Sequence, residues 1–156
     1  MGTRSRIGVM HGDVCKSVYC HYDGYLEHNG RILQEYYDSA KANHLVALGD
    51  LSTLGRKVDF PDGEFHTFSS PMENVTVFYN RDRGEEGTNF EVDHTFAEFF
   101  DRAHNCNAEY YYVMKDGEWF VGTTYSYGEL AGKLIPLAEV LAKVDIEANE
   151  TVEEAL

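Results

Sequence analysis

SRIGVMHGDVCKSVYCHY, residues 5–22, is the stretch whose reading decides the fold. Two runs of near-alternating apolar and polar residues flank Gly12-Asp13, a dipeptide suited to a two-residue hairpin turn because such turns need residues that accept positive φ. With the turn there, partner positions sum to 25, so Val9 faces Lys16, Ile7 faces Val18 and Ser5 faces Cys20 on one largely apolar face. The other face then carries Arg4 opposite His21 and Arg6 opposite Tyr19, with Asp23 diagonal to Arg4. A slip of one residue would exchange the two faces, so this polar row is a consequence of register.

Outward from the hairpin, NGRILQEYYDSAKAN (29–43) reads as one amphipathic helix. Asn29 is its N-cap, Ile32, Leu33, Tyr36, Tyr37 and Ala40 form one apolar stripe, and Arg31 and Glu35 sit at i, i+4. A short helical piece, HLVAL (44–48), stops at Gly49. Residues 58–72 are rich in turn formers, NVTVFYN (74–80) reads as a strand and RDRGEEG (81–87) as a charged loop. TFAEFFDRA (95–103) is a helix opened by Thr95 and Glu98 at capping-box spacing, burying Phe96, Phe99 and Phe100.

The clearest hairpin is AEYYYVMKDGEWFVGTTY (108–125), which turns at Asp116-Gly117 with partners summing to 233. Both of its faces are apolar or aromatic, which places it inside a sheet covered on each side. Pro136 suits the first turn of a last helix that buries Leu137, Val140, Leu141 and Val144. The expectation is an α+β fold of two layers. A mainly antiparallel sheet (the N-terminal hairpin, a central strand and the 108–125 hairpin) packs with three or four helices. Residues 1–144 form one domain, and the acidic segment 145–156 is a tail or an extension of the last helix.

The net charge of −14 is unevenly spread: residues 1–57 hold seven Lys/Arg and six Asp/Glu, whereas residues 58–156 hold six and twenty-one. A half with a balance of −15 repels phosphate backbones, which argues against direct nucleic-acid binding, and attracts a basic partner. The same acidity also keeps a small protein soluble. Three cysteines suggest a reducing compartment. Cys15 and Cys20, on one strand, lie ~16 Å apart, too far for a disulfide. No apolar run reaches the length of a membrane span and no signal segment opens the chain, so a cytoplasmic protein with no membrane contact is expected.

Complete chemical motifs are lacking. GDLSTLGRK (49–57) fails as a phosphate loop, since five residues separate its glycines and Val58 follows the lysine. No nucleophile elbow and no metal-ligand spacing occurs; the loose trio His94, His104 and Cys106 reads as core and loop, so neither metal nor cofactor is expected. Two polar stretches stand out as candidate ligand or partner sites. The first is Arg4, His21, Asp23, Tyr25 and Asn29: Arg4 can grip a carboxylate or phosphate, His21 can move a proton, and Asp23 can orient either. Equally, Asp23 and Arg4 can form an ion pair that merely fixes the loop. The second is Arg81, Asp82 and Arg83, which either grip a partner or neutralise one another on a solvated loop. If the two stretches met, one cleft would hold arginines, a histidine and aspartates.

The blocks MGTRSRI, YCHYDGYLEHNGRIL, LVALGDLSTLG, VFYNRDRGE and EYYYVMKDGEWF, spanning residues 1 to about 120, resemble a small protein family common in tailed bacteriophages and prophages. Family relatives more often have Trp where this chain has Tyr22, and often His where it has Asn80. The family brings no assigned reaction. The resemblance implies a phage-encoded protein acting in the cytoplasm of an infected bacterium. With the acidic half and the missing catalytic motifs, it points to a non-enzymatic accessory protein that binds a basic patch on a host protein. The rival is a small-molecule or nucleotide binder, a hydrolase included, using Arg4, His21, Asp23 and Arg81–Arg83.

Overall fold

A computed structural model describes residues 2–155, with side chains described through Asn149. The first ribbon pairs strands β1 (Ser5–His11) and β2 (Val14–Cys20) in the register read from the alternation: Val9 with Lys16, Ile7 with Val18, Ser5 with Cys20. Gly12 carries the turn at φ 60°. After the ribbon come a single π-helical turn (Leu26–Gly30), then α1 (Arg31–Tyr36) and α2 (Ser39–Ala47). Next are β3 (Leu51–Thr53), β4 (Val77–Phe78), α3 (Tyr79–Arg83) and β5 (Glu91–Asp93). Finally α4 (Phe96–Asn105), β6 (Tyr110–Lys115), β7 (Glu118–Thr123), β8 (Ile135–Pro136) and α5 (Leu137–Ala155) complete the chain.

The strands form one mixed sheet in the order β4-β3-β2-β1-β6-β7-β8, with β5 also pairing with β2. The fold is α+β, with helices packed against the sheet. Its two hairpins are joined side by side through a parallel β1–β6 pair, Ser5 beside Tyr110 and Ile7 beside Tyr112. The second hairpin has the expected register, Val113 with Phe120 and Met114 with Trp119, and turns through Asp116 and Gly117 at φ 52° and 78°. Both central strands are buried on both faces. Ile7, Val9, Val18, Tyr112 and Met114 pack under α1, α2 and α5, while Met10, Cys15, Tyr111 and Val113 pack under Phe99 and Ala103 of α4. Thus α4 adds a cover on the face away from the other helices. Burying a side chain such as Phe99 is worth about 1.5–3 kcal/mol.

Five expectations about local structure are corrected. The helix read over 29–43 is broken: Tyr37 is extended at φ −118°, ψ 111°, and the Asp38 carboxylate accepts the Lys41 N–H at 2.8 Å, capping a new helix. Tyr37 leaves the helical path because its hydroxyl donates to the Gly55 carbonyl (2.8 Å) and its own carbonyl accepts the Trp119 indole N–H (2.9 Å). Asn29 caps nothing; it is fully buried. The strand read over 74–80 shrinks to β4, because Asp82 accepts the Phe78 N–H (2.7 Å) and starts α3, so 81–83 are helical rather than loop. Pro136 precedes the last helix as part of an edge strand, where its missing N–H leaves no donor unpaired.

The capping box of α4 is present: Thr95 Oγ accepts the Glu98 N–H at 3.1 Å, and the Glu98 carboxylate accepts the His94 N–H at 2.9 Å. The segment from Asp145 continues α5 as helix to Ala155. No helix among the described residues is long and apolar enough to cross a membrane.

Candidate functional site

The alternation that buries Ile7 and Val18 carries one residue beyond each strand end, and it sets Arg4 beside His21 on the face covered by α4. The parallel pair extends by the same step, since Glu109 N–H donates to the Arg4 carbonyl at 2.9 Å. A row His21–Arg4–Glu109 therefore crosses three adjacent strands, where neighbouring side chains start ~4.5–5.5 Å apart. One row inward, Arg6 is buried beneath α4, with Nε donating to Ser17 Oγ at 2.8 Å. The helix ends at Asn105, and Asn107 turns the chain back toward the sheet at φ 61°. The row containing Arg4 is left uncovered, and an open cleft of about 590 Å3 forms there, lined by Gly2, Arg4, His21, Tyr22, Asp23, Asn107 and Glu109.

The loop that closes this cleft is anchored by its backbone. His21 and Tyr22 N–H groups donate to the Leu51 and Ser52 carbonyls of β3 (3.1 and 3.0 Å), and Gly24 N–H donates to the Thr3 carbonyl at 2.8 Å. Only glycine allows the last contact: a Cβ at position 24 would stand 2.6 Å from Ser5 Cβ and 2.9 Å from the Thr3 oxygen. Asp23, at φ 57°, takes a left-handed conformation that Asp and Asn tolerate. These constraints set Asp23 on the cleft wall with Arg4.

No ion pair joins Arg4 to Asp23. Among the described residues the Arg4 guanidinium makes no hydrogen bond or ion pair, and the carboxylates of Asp23 and Glu109 make none either. The loop is held without spending their charge. Tyr19, one row inward, lies 2.7 Å from His21 Nδ1 through its hydroxyl. Burial pushes the Tyr19 phenol up to about 12, with Arg4 pulling the other way. This contact holds the imidazole in one orientation at the cleft wall. The His21 ring also packs edge-on against Tyr22, whose ring is 44% exposed at the rim. The site thus offers one fixed cation, two free carboxylates and an oriented imidazole.

The second stretch is built differently. Arg81 donates to the carbonyls of Val58 (2.6 Å) and Thr76 (2.9 Å), pairs with Asp82 at 2.9 Å, and stacks over Phe60 and Phe78. Asp82 is 2% exposed at its side chain and also accepts from His66 Nε2 at 3.2 Å, while His66 Nδ1 accepts the Met72 N–H at 2.9 Å. Both ring nitrogens of His66 are therefore engaged in holding the 57–76 loop. Arg83 pairs with Glu85 at 2.5 Å and lies over Phe68 and Tyr79. None of the three lines the Arg4 cleft, so the two stretches do not combine into one site.

Of the remaining candidates, Tyr25 is outside the cleft with its ring against His28, and Asn29 is on the core side, where its amide donates to Ser5 Oγ (3.3 Å) and Cys20 Sγ (3.4 Å). Gly2, Tyr22, Asn107 and Glu109 were not singled out as site residues by sequence. Glu109 and Asn107 reach the site only through the parallel β1–β6 pair, a contact across about a hundred residues for which turn chemistry gives no signal. Among the described residues no group of three or more His, Cys, Asp or Glu side chains is arranged to hold a metal ion. His94, His104 and Cys106 stay apart in role: His104 stacks on Phe100, and Cys106 donates to the Ala103 carbonyl. Comparison with protein-family models, curated proteins and solved structures finds no match.

Proposed function

We propose that this chain is a non-enzymatic accessory protein of a tailed phage or prophage, acting in the cytoplasm of an infected bacterium, that binds a basic patch on a host protein through its acidic surface. The observation that carries this reading is how the acidic half distributes its charge. Its arginines are each paired with a carboxylate: Arg81 with Asp82, Arg83 with Glu85 and Arg102 with Asp93. Among the described residues, exposed carboxylates such as Asp62, Glu73, Glu86, Asp101 and Glu118 have no cationic partner within 4.0 Å. By sequence alone no Lys or Arg follows Lys143 while five acidic residues do, one of which, Asp145, pairs with Arg31. An uncompensated field of this kind steers association with a positive surface and is screened within ~8 Å at physiological salt. The separation of Arg81–Arg83 from the Arg4 cleft also disfavours the rival hydrolase, which needed them together.

The test is retention of partners from a bacterial lysate on the immobilised chain across a salt gradient. A stoichiometric host protein held at low salt and released as salt rises is the expected result. Failure to retain one at low salt, or retention indifferent to salt, would refute this function.

A further inference from the structure

The Arg4 cleft holds more unspent chemistry than the fold requires, and its charges are matched to a particular kind of molecule. We propose that it binds a small zwitterion of the α-amino-acid class, with Arg4 gripping the carboxylate and Asp23 and Glu109 receiving the ammonium group. This assignment is independent of the acidic-surface function above.

The inventory of the walls supports it. Arg4 stands on the same row as Glu109 and shares the cleft with Asp23, yet it is paired with neither, so its five donors remain available for an incoming anion. A ligand bearing only negative charge would meet two carboxylates alongside that one guanidinium, inside a protein whose net charge is −14. Polyphosphates are disfavoured on that count. A purely cationic ligand would leave the guanidinium uncompensated. One anion and one cation on a short frame satisfy both halves of the wall.

Size and stiffness agree with this class. The volume of about 590 Å3 lies in the range of small-molecule sites, ~300–1,000 Å3. The walls are preorganised: backbone bonds to β3 and Thr3 fix His21, Tyr22 and Gly24, and Tyr19 orients the imidazole. His21 Nε2 and the Asn107 amide supply further polar contacts beside the guanidinium, and the Tyr22 ring offers an apolar rim for a ligand side chain.

The experiment is calorimetric titration of the full chain with each of the twenty common L-amino acids, with inorganic phosphate and adenosine monophosphate as comparison probes. Saturable one-to-one binding of at least one amino acid is expected, weakened about tenfold or more by Arg4→Gln. Its methyl ester, lacking the carboxylate charge, and its N-acetyl derivative, lacking the ammonium, should both fail to bind. Asp23→Asn, which keeps the left-handed backbone permissible, is the second variant and should weaken binding even if Arg4→Gln proves unstable. The assignment is overturned if no amino acid binds at millimolar concentration, or if only phosphate or adenosine monophosphate binds. It is equally overturned if the ester or acetyl derivative binds as well as the parent, or if a folded variant binds as well as the natural chain.

Discussion

Arg4 and Arg81 each stand near an aspartate at the end of a strand, and they make opposite use of the same side chain. Arg81 spends its fork on the Val58 and Thr76 carbonyls and on Asp82, and it fills the space between the Phe60 and Phe78 rings. Arg4 lies where α4 has ended, so its side chain lacks both carbonyls to cap and a helix to pack under. The difference teaches that a charged dipeptide is structural when an irregular segment depends on it. The 57–76 segment has an isolated bridge between Lys57 and Val75 but no strand of its own, so Arg81, Asp82 and His66 supply its order. The loop at 21–24 is already tied down by backbone bonds to Leu51, Ser52 and Thr3, which leaves Arg4 and Asp23 free.

The sharpest way to break this comparison is at Asp82. Asp82→Ala would leave the Phe78 N–H, the His66 ring and the Arg81 guanidinium without their shared acceptor. Removing one member of such a buried network costs about 3–5 kcal/mol. Urea denaturation should show that loss, together with increased proteolysis of the 57–76 loop. A cost below ~1 kcal/mol, the range of an exposed ion pair, would mean that the network does not order the loop.

At the other region the corresponding lever is a glycine, not a charge. Gly24→Ala would force a Cβ against Ser5 and the Thr3 oxygen, and overpacking of this kind costs about 1–3 kcal/mol. The expected accompaniment is displacement of Asp23 from the cleft, seen as changed amide chemical shifts at residues 3–5 and 21–24 while those of 57–82 stay in place. A variant as stable as the parent would show that the loop is not held by this close approach.

A third measurement uses pH, because Arg4 lies near the half-exposed Tyr19 and Arg81 near the buried Tyr37. Arg4 lowers the Tyr19 phenol and Arg81 lowers that of Tyr37, while burial pushes both up to about 12. Cys15 is likewise pushed to about 12 by burial. These groups keep their protons in the fold after the unfolded chain has released them. Their contribution is therefore complete below the ordinary thiol and phenol values and is lost as pH rises toward 12. Each group in that window costs at most ~1.4 kcal/mol per pH unit, less for the half-exposed Tyr19. Chemical denaturation at successive alkaline pH values should show falling stability, and a flat profile to pH 11 would contradict the burial of Cys15 and Tyr37.

How much of this was legible in the sequence follows from the range of the interactions. Both hairpins were readable, since Gly12-Asp13 and Asp116-Gly117 supply the turns and alternation supplies the register. The Arg4–His21 pairing came with that register. Strands β3, β5 and β8, only two or three residues each, were not readable because they exist through their partners rather than through a pattern. The break at Tyr37 was hidden because Leu33 and Tyr37 keep helical spacing, while the cause is a tertiary bond to Gly55. For the same reason sequence could not decide whether Arg81 was spent or free: its two carbonyl partners are set by the course of a patternless loop.

The smallest expected effect is the most discriminating one. Arg4→Gln removes a guanidinium with no hydrogen bond or ion pair among the described residues, so stability at neutral pH should stay within ~0.5 kcal/mol of the parent. The electrostatic consequence should be local. With Arg4 gone, the Tyr19 phenol loses the cation that lowers it, so its titration moves further up while that of Tyr37 stays where it was. Arg81→Met should do the reverse, raising Tyr37 and leaving Tyr19 unmoved, at a much larger cost in stability. Tyrosinate absorbance of the two variants against pH, with Tyr19→Phe and Tyr37→Phe backgrounds to assign the steps, separates these outcomes. Loss of ~2 kcal/mol or more in Arg4→Gln would mean that Arg4 is as structural as Arg81, and the contrast between free and spent charge would collapse.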